Sequence, residues 1–226
     1  MTFAKKAILY FGRIKPPDRL PIGVHPLYPH KDPAVQVVIS TFFNRYYSDE
    51  QPRILLIGIN PGRMGAGITG VNFTAPRQLS QFLGIKHPWP DTSELSAEFI
   101  YDVILSYGGP AAFFGQFYLG SVSPIGFIRD GKNLNYYDDP LLQQRIRPYA
   151  LKQLKAQIDF GIRRSVAICI GGDKNLKFLK GLNDEHNLFD ELRVVPHPRF
   201  IQQYRRSAKE SYIQQYLDEL LYCIKK

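Results

Sequence analysis

"ILLIGINPGRMGAGITGVNF", residues 54 to 73, is an apolar run that passes straight into a turn rich in glycine and holding Asn60 and Pro61. Residues 53 to 59 are nearly all apolar and too few for a helix, the pattern of a strand buried on both faces in a parallel sheet. The turn that follows places one uncharged amide at the mouth of a long stretch of bare backbone.

Outward from this stretch, strands and helices alternate. Upstream, "RIKPPDRLPIGVHPLYPHKDP" (residues 13–33) reads as an extended surface segment. Asp32 and Pro33 predict a helix start, and Val35, Val38, Ile39, Phe42 and Phe43 give that helix an apolar face as far as about Tyr47. Downstream, short helices are predicted from Pro76 to Gly84 and over residues 93–106, followed by a strand at "FYLGSV". Residues 140–160 read as helical but interrupted near Pro148, "SVAICI" as a third strand, and the stretch after Gly171-Gly172 as a helix toward Leu179. A fourth strand, "LRVV", meets Pro196-His197-Pro198, and a last helix is predicted from Ser207, whose spacing to Glu210 matches a capping box. The expectation is an α/β fold spanning residues 1–226 as one domain. It is an α/β/α sandwich around a central, mostly parallel four-stranded sheet, with residues 1–50 as an N-terminal extension packing on it. Asn60, Ser121 and His197 each follow directly on a predicted strand, and open parallel sheets bind ligands at the carboxyl ends of their strands.

Composition narrows the class. With 44% hydrophobic and 22% charged residues the chain is globular, and no apolar run approaches the ~20 residues that cross a bilayer. The N-terminal residues carry no apolar run or small-residue cleavage site of a targeting segment. Cys169 and Cys223 are far apart, which points to a reducing compartment with no disulfide framework, zinc site or iron–sulfur cluster. A net charge of +9 favours a polyanionic partner such as nucleic acid.

The glycine-rich turn admits several mechanisms. A phosphate-binding P-loop needs a lysine at the helix start, and none occurs between residues 53 and 85. Gly65, Gly67 and Gly70 satisfy a dinucleotide fingerprint by letter, but the match begins six residues after the strand and runs into "VNFTAP", which is no helix N-terminus. A merely flexible surface loop does not account for Met64 and Phe73. Backbone N–H donors, one amide and an aromatic face are the means of gripping a flat heterocycle by edge and face.

"GINPGRMGAGITGVNF" resembles the first active-site motif of the uracil-DNA glycosylase superfamily, particularly its single-strand-selective monofunctional branch. Gly58, Asn60, Pro61, Gly62, Thr69, Gly70, Val71 and Phe73 match it without a gap. "VVPHPRF" supplies the second motif with His197 and Pro198, and Val122-Ser123-Pro124 and Gly131-Lys132-Asn133-Leu134 resemble a further element. The matches run in the family's order from about residue 53 to 206, and the first 50 residues carry none.

The resemblance implies a monofunctional DNA glycosylase of base excision repair, which flips uracil or a related damaged base out of DNA and hydrolyses its N-glycosidic bond. It implies that Asn60 positions the attacking water. His197 donates to the base O2, helped by backbone N–H groups near Gly62 and Met64, and Phe73 stacks on the extruded base. An amide does not titrate near neutral pH, so Asn60 is no general base and the departing anion must be stabilised instead. Two departures stand out. Ser121 occupies the place of an asparagine that reads the uracil edge, with Asn133 and Ser123 as alternative readers, so 5-hydroxymethyluracil or a deaminated purine stand beside uracil as substrates. The wedge loop is shortened to His-Pro-Arg, leaving Arg199, Phe200 and Gln202 as wedge candidates, with Arg205, Arg206 and Lys209 for phosphates. The expected partner is DNA containing uracil or another deaminated or oxidised base. The protein is expected to act as a monomer, without cofactor, metal or membrane, in the cytoplasm (on the nucleoid in a bacterium). The alternative is a non-catalytic binder of damaged or single-stranded DNA with the same fold.

Overall fold

The apolar run behind Asn60 is buried at every position from Arg53 to Gly58, with a hydrogen-bonded strand on each side. The computed structural model describes all residues, Met1–Lys226. In chain order it runs α1 (Phe3–Arg13), β1 (His25–Leu27), α2 (Pro33–Tyr46), β2 (Arg53–Gly58), α3 (Ala66–Thr69), α4 (Pro76–Gln81), α5 (Leu95–Ser106) and α6 (Pro110–Gln116). There follow β3 (Phe117–Ser121), β4 (Gly126–Arg129), β5 (Lys132–Leu134), α7 (Pro140–Ile158), β6 (Ile162–Ile170), α8 (Asp173–His186), β7 (Glu191–Val195), α9 (Pro198–Tyr204) and α10 (Lys209–Ile224).

Four strands form one parallel sheet in the order β3-β2-β6-β7, as the alternating pattern predicts. Gly58 pairs with Ser121 and Ile170 with Val195, so each pair of neighbours ends level. The residues that follow the strands therefore emerge at one edge of the sheet.

A second sheet, not anticipated from the sequence, is antiparallel with order β1-β4-β5. Its β4–β5 hairpin closes on Asp130 and Gly131, both with positive φ (51° and 69°), the backbone that an Asp-Gly pair supplies at least cost. Within residues 1–13, for which the sequence reading names no element, Phe3–Arg13 form α1. Thr2 caps it by accepting the Lys5 N–H, and Phe3 stacks on Tyr47 with ring centroids 4.9 Å apart. Phe3, Ala4, Ala7 and Phe11 belong to the same buried apolar cluster as β2.

Three helix expectations need correction. α7 is continuous through Pro148, because burial of Leu142, Ile146, Ala150 and Leu154 along one face outweighs the backbone bond that proline removes. The capping box at Ser207 does not form. Residues Arg206–Ala208 make a 3₁₀ turn, which puts Ser207 inside the turn, and α10 begins at Lys209 with no side-chain cap. The segment after His197, read as a loop, is the helix α9 with Pro198 at its first position. α8 also runs on past Leu179 to His186.

Candidate active site

The sheet edge opens into a cavity of about 540 Å³. Asn60, Gly62, Met64, Phe73, Ser121, Asn133, His197, Arg199 and Phe200 all line it, although they are up to 140 residues apart in the chain.

On one wall, Asn60 is held at both ends of its amide. Its Oδ1 accepts the Tyr136 N–H at 3.1 Å, and its Nδ2 donates to the Leu134 carbonyl at 3.2 Å. Those backbone partners fix which end is oxygen, and one Oδ1 lone pair remains open. Both partners lie at or just beyond the end of β5, so the unforeseen hairpin is what orients this side chain. Asn133, on the same strand, accepts the Arg63 N–H at 3.0 Å. That uses up one donor of the loop, whereas the Gly62 and Met64 N–H groups make no backbone bond.

Phe73 closes this wall. Its φ of 53° is unusual for a bulky residue and costs on the order of 1–3 kcal/mol, so the surroundings must hold it. They do: Thr69 Oγ1 donates to the Thr74 carbonyl at 2.6 Å, and Asn72 Nδ2 to the Leu119 carbonyl at 3.2 Å. The Phe73 ring lies so close to Gly58 that a Cβ there would come within 2.7 Å of it, which explains glycine at the end of β2.

Ser121 is buried, and its hydroxyl donates to the Ser123 carbonyl at 2.9 Å. Its backbone is bracketed by Gln157, whose Oε1 accepts the Ser121 N–H while Nε2 donates to the Ser121 carbonyl. Ser123, the other alternative reader, is fully buried and donates to Ile125, and it does not line the cavity.

His197 caps α9. Its Nδ1 accepts the Arg199 N–H at 3.1 Å, so the neutral ring carries its proton on Nε2. Burial, and secondarily the Arg199 guanidinium, push its pKa down to about 4, and the imidazole is neutral at physiological pH.

Because residues 198–204 are helical, side chains three and four apart share a face, and Arg199, Phe200, Gln203 and Tyr204 line the cavity. Gln202, Arg205 and Arg206 do not line it. The exposed Arg205 guanidinium sits over the Phe200 ring, 5.5 Å from its centroid, and Lys209 is paired with Asp102 at 2.7 Å. Sequence reasoning also missed Asn72, Glu94, Tyr137 and Tyr204 as lining residues. Asn72 is within the first motif, whereas Glu94 and Tyr137 stand in no motif that could have flagged them. No helix of the protein is long and apolar enough to cross a membrane.

The family model for the Uracil DNA glycosylase superfamily matches residues 45–221. The crystal structure of wild-type SMUG2 from Pedobacter heparinus is similar over 100% of both chains, at 34% identity and a TM-score of 0.96. No curated protein matches the sequence.

Proposed function

The chain belongs to the uracil DNA glycosylase superfamily, and from that premise we propose that it removes uracil or a related damaged base from DNA by hydrolysing the N-glycosidic bond. A DNA glycosylase needs a place for the extruded base, a donor for the anion that departs, and a held water. The single observation that carries the reading is that Asn60 and a neutral His197 with its proton on Nε2 open into one cavity.

In this mechanism the base enters between Phe73 and the strand ends. His197 Nε2–H and the unbonded N–H groups of Gly62 and Met64 point their dipoles at the O2 on which negative charge grows. A neutral imidazole suits the task, since it stabilises the anion by a hydrogen bond without first transferring a proton. Asn60 Oδ1, its amide locked by the β5 end, holds the water that adds to C1′ as the base leaves. The Ser121 hydroxyl is already committed to Ser123, so it does not present the paired donor and acceptor of an asparagine. This supports a base tolerance wider than uracil.

The test is a panel of single- and double-stranded oligonucleotides, each with one uracil, 5-hydroxymethyluracil or deaminated purine, incubated with the protein and then with alkali. Strand breaks at the modified position are expected. Tight binding across the panel with no break anywhere would leave a DNA binder and remove the enzyme.

A further inference from the structure

Glu94 immediately precedes α5 at its N-cap position, yet its side chain does not cap the helix. The carboxyl turns instead into the cavity and lies over the glycine turn. A Cβ on Gly65 would collide with it, and one on Gly62 would meet Glu94 Oε2 at 3.0 Å and Asn133 Nδ2 at 3.4 Å. Gly65 and Gly62 are thus the residues that admit an acid to this wall. The Glu94 carboxyl makes no hydrogen bond, and no cation lies within ion-pair distance. Arg199 on α9 acts on it only as a more distant charge. Glu94 is half-buried and turns its carboxyl into the cavity without a partner, where part of its hydration is lost, and a chain that only needed to fill this space would use an amide or an apolar residue.

Resting on the glycosylase reading above, we propose that Glu94 is a catalytic residue of this site, the acceptor of the proton released by the water that Asn60 holds. Asn60 cannot take that proton, and His197 is occupied as a donor to the base. As the water oxygen bonds to C1′, the C1′–N bond breaks and its electron pair leaves with the base. One water proton passes to the Glu94 carboxylate, and the base anion remains on His197. Glu94 then returns its proton to solvent or to the departing base, which completes the hydrolysis. While ionised, the same carboxylate faces the sugar as it gains positive charge.

Burial raises the Glu94 pKa to about 7, with Arg199 opposing the rise. The other charged or titratable groups around the cavity are Glu98 on α5 itself, Arg63 on the glycine turn, His197 at the start of α9, and Tyr137 and Tyr204. His197 falls to about 4 and does not titrate in the same range. The carboxylate is the active form, so the rate rises as pH increases through about 7.

Single-turnover excision from a uracil-containing oligonucleotide, measured from pH 5.5 to 8.5, tests this. The wild-type rate is expected to climb about tenfold per pH unit below a midpoint near 7, or higher where DNA phosphates raise it, and then level off. Glu94→Gln, which keeps the shape and removes the base, is expected to lose about 10²-fold at pH 8 and to have no rising limb, with affinity for uncleavable 2′-fluoro-uracil DNA unchanged. Glu94→Asp is expected to keep a titrating limb at reduced rate. An active wild type with a flat profile, or a Glu94→Gln variant that keeps the wild-type rate and limb, overturns the role of Glu94 while leaving the glycosylase intact. A wild type that excises nothing overturns both.

Discussion

The two walls of the cavity are built on opposite principles. On the glycine-rich wall, the amide side chains are each tied to backbone groups elsewhere in the chain: Asn60 to Leu134 and Tyr136, Asn133 to the Arg63 N–H, Asn72 to Leu119. On the α9 wall beyond His197, Phe200 and Tyr204 are 41% and 67% exposed, their ring centroids 5.9 Å apart, with the exposed Arg205 guanidinium over Phe200. Bond cleavage fails when a reacting group moves by an ångström, so groups that do chemistry belong on a braced wall. A surface that meets DNA must adapt to it, and side chains left free of internal bonds can do so. Glu94 is the exception on the braced side, a carboxyl that lies over Gly62 and Gly65 without capping its own helix.

The contrast makes graded demands. The largest effect is expected where the two walls meet. His197→Ala removes a preorganised donor and should slow single-turnover excision about 10²–10³-fold while leaving DNA affinity nearly unchanged. A matching loss of affinity would mean that His197 serves binding rather than bond cleavage. A middle effect separates the walls directly. Phe73→Ala should cost about 1–3 kcal/mol of binding for DNA carrying the target base and little for undamaged DNA, since only a flipped base meets this ring. Phe200→Ala should weaken both DNAs alike, and fluorescence titrations of the two variants with both DNAs would expose any reversal. The smallest effect belongs to the outer end of α9. Replacing Arg205 and Arg206 together by alanine should make the negative slope of log binding constant against log salt shallower by up to about 2, with excision at saturating DNA unchanged. An unchanged slope would move the phosphate contacts elsewhere.

Much of this was legible in the sequence. Residues 54–57 are all apolar because β2 is buried on both faces, and β3 and the second half of β6 read the same way, whereas the edge strand β7 is mostly half-buried and was marked by Val194, Val195 and the His-Pro that follows. The ungapped first motif and the strand-end histidine pointed to the family that the comparisons then identified. Legibility failed where long-range contacts overrode local signals. Pro148 should break a helix, yet burial carries α7 through it, and Ser207 should start one, yet a 3₁₀ turn absorbs it. Reading α9 as a loop misplaced the face it presents, favouring Gln202 where Gln203 and Tyr204 line the cavity.

By itself, the sequence determined the parallel sheet and the set of residues placed at its carboxyl edge, because hydrophobic periodicity and turn chemistry are local properties. Only the tertiary structure decided how those residues face. The β4–β5 hairpin orients the Asn60 amide, the Arg199 N–H sets the His197 tautomer, and close backbone at Gly62 and Gly65 lets the Glu94 carboxyl into the cavity. Orientation, tautomer and burial depend on neighbours distant in the chain, and no window of sequence contains them.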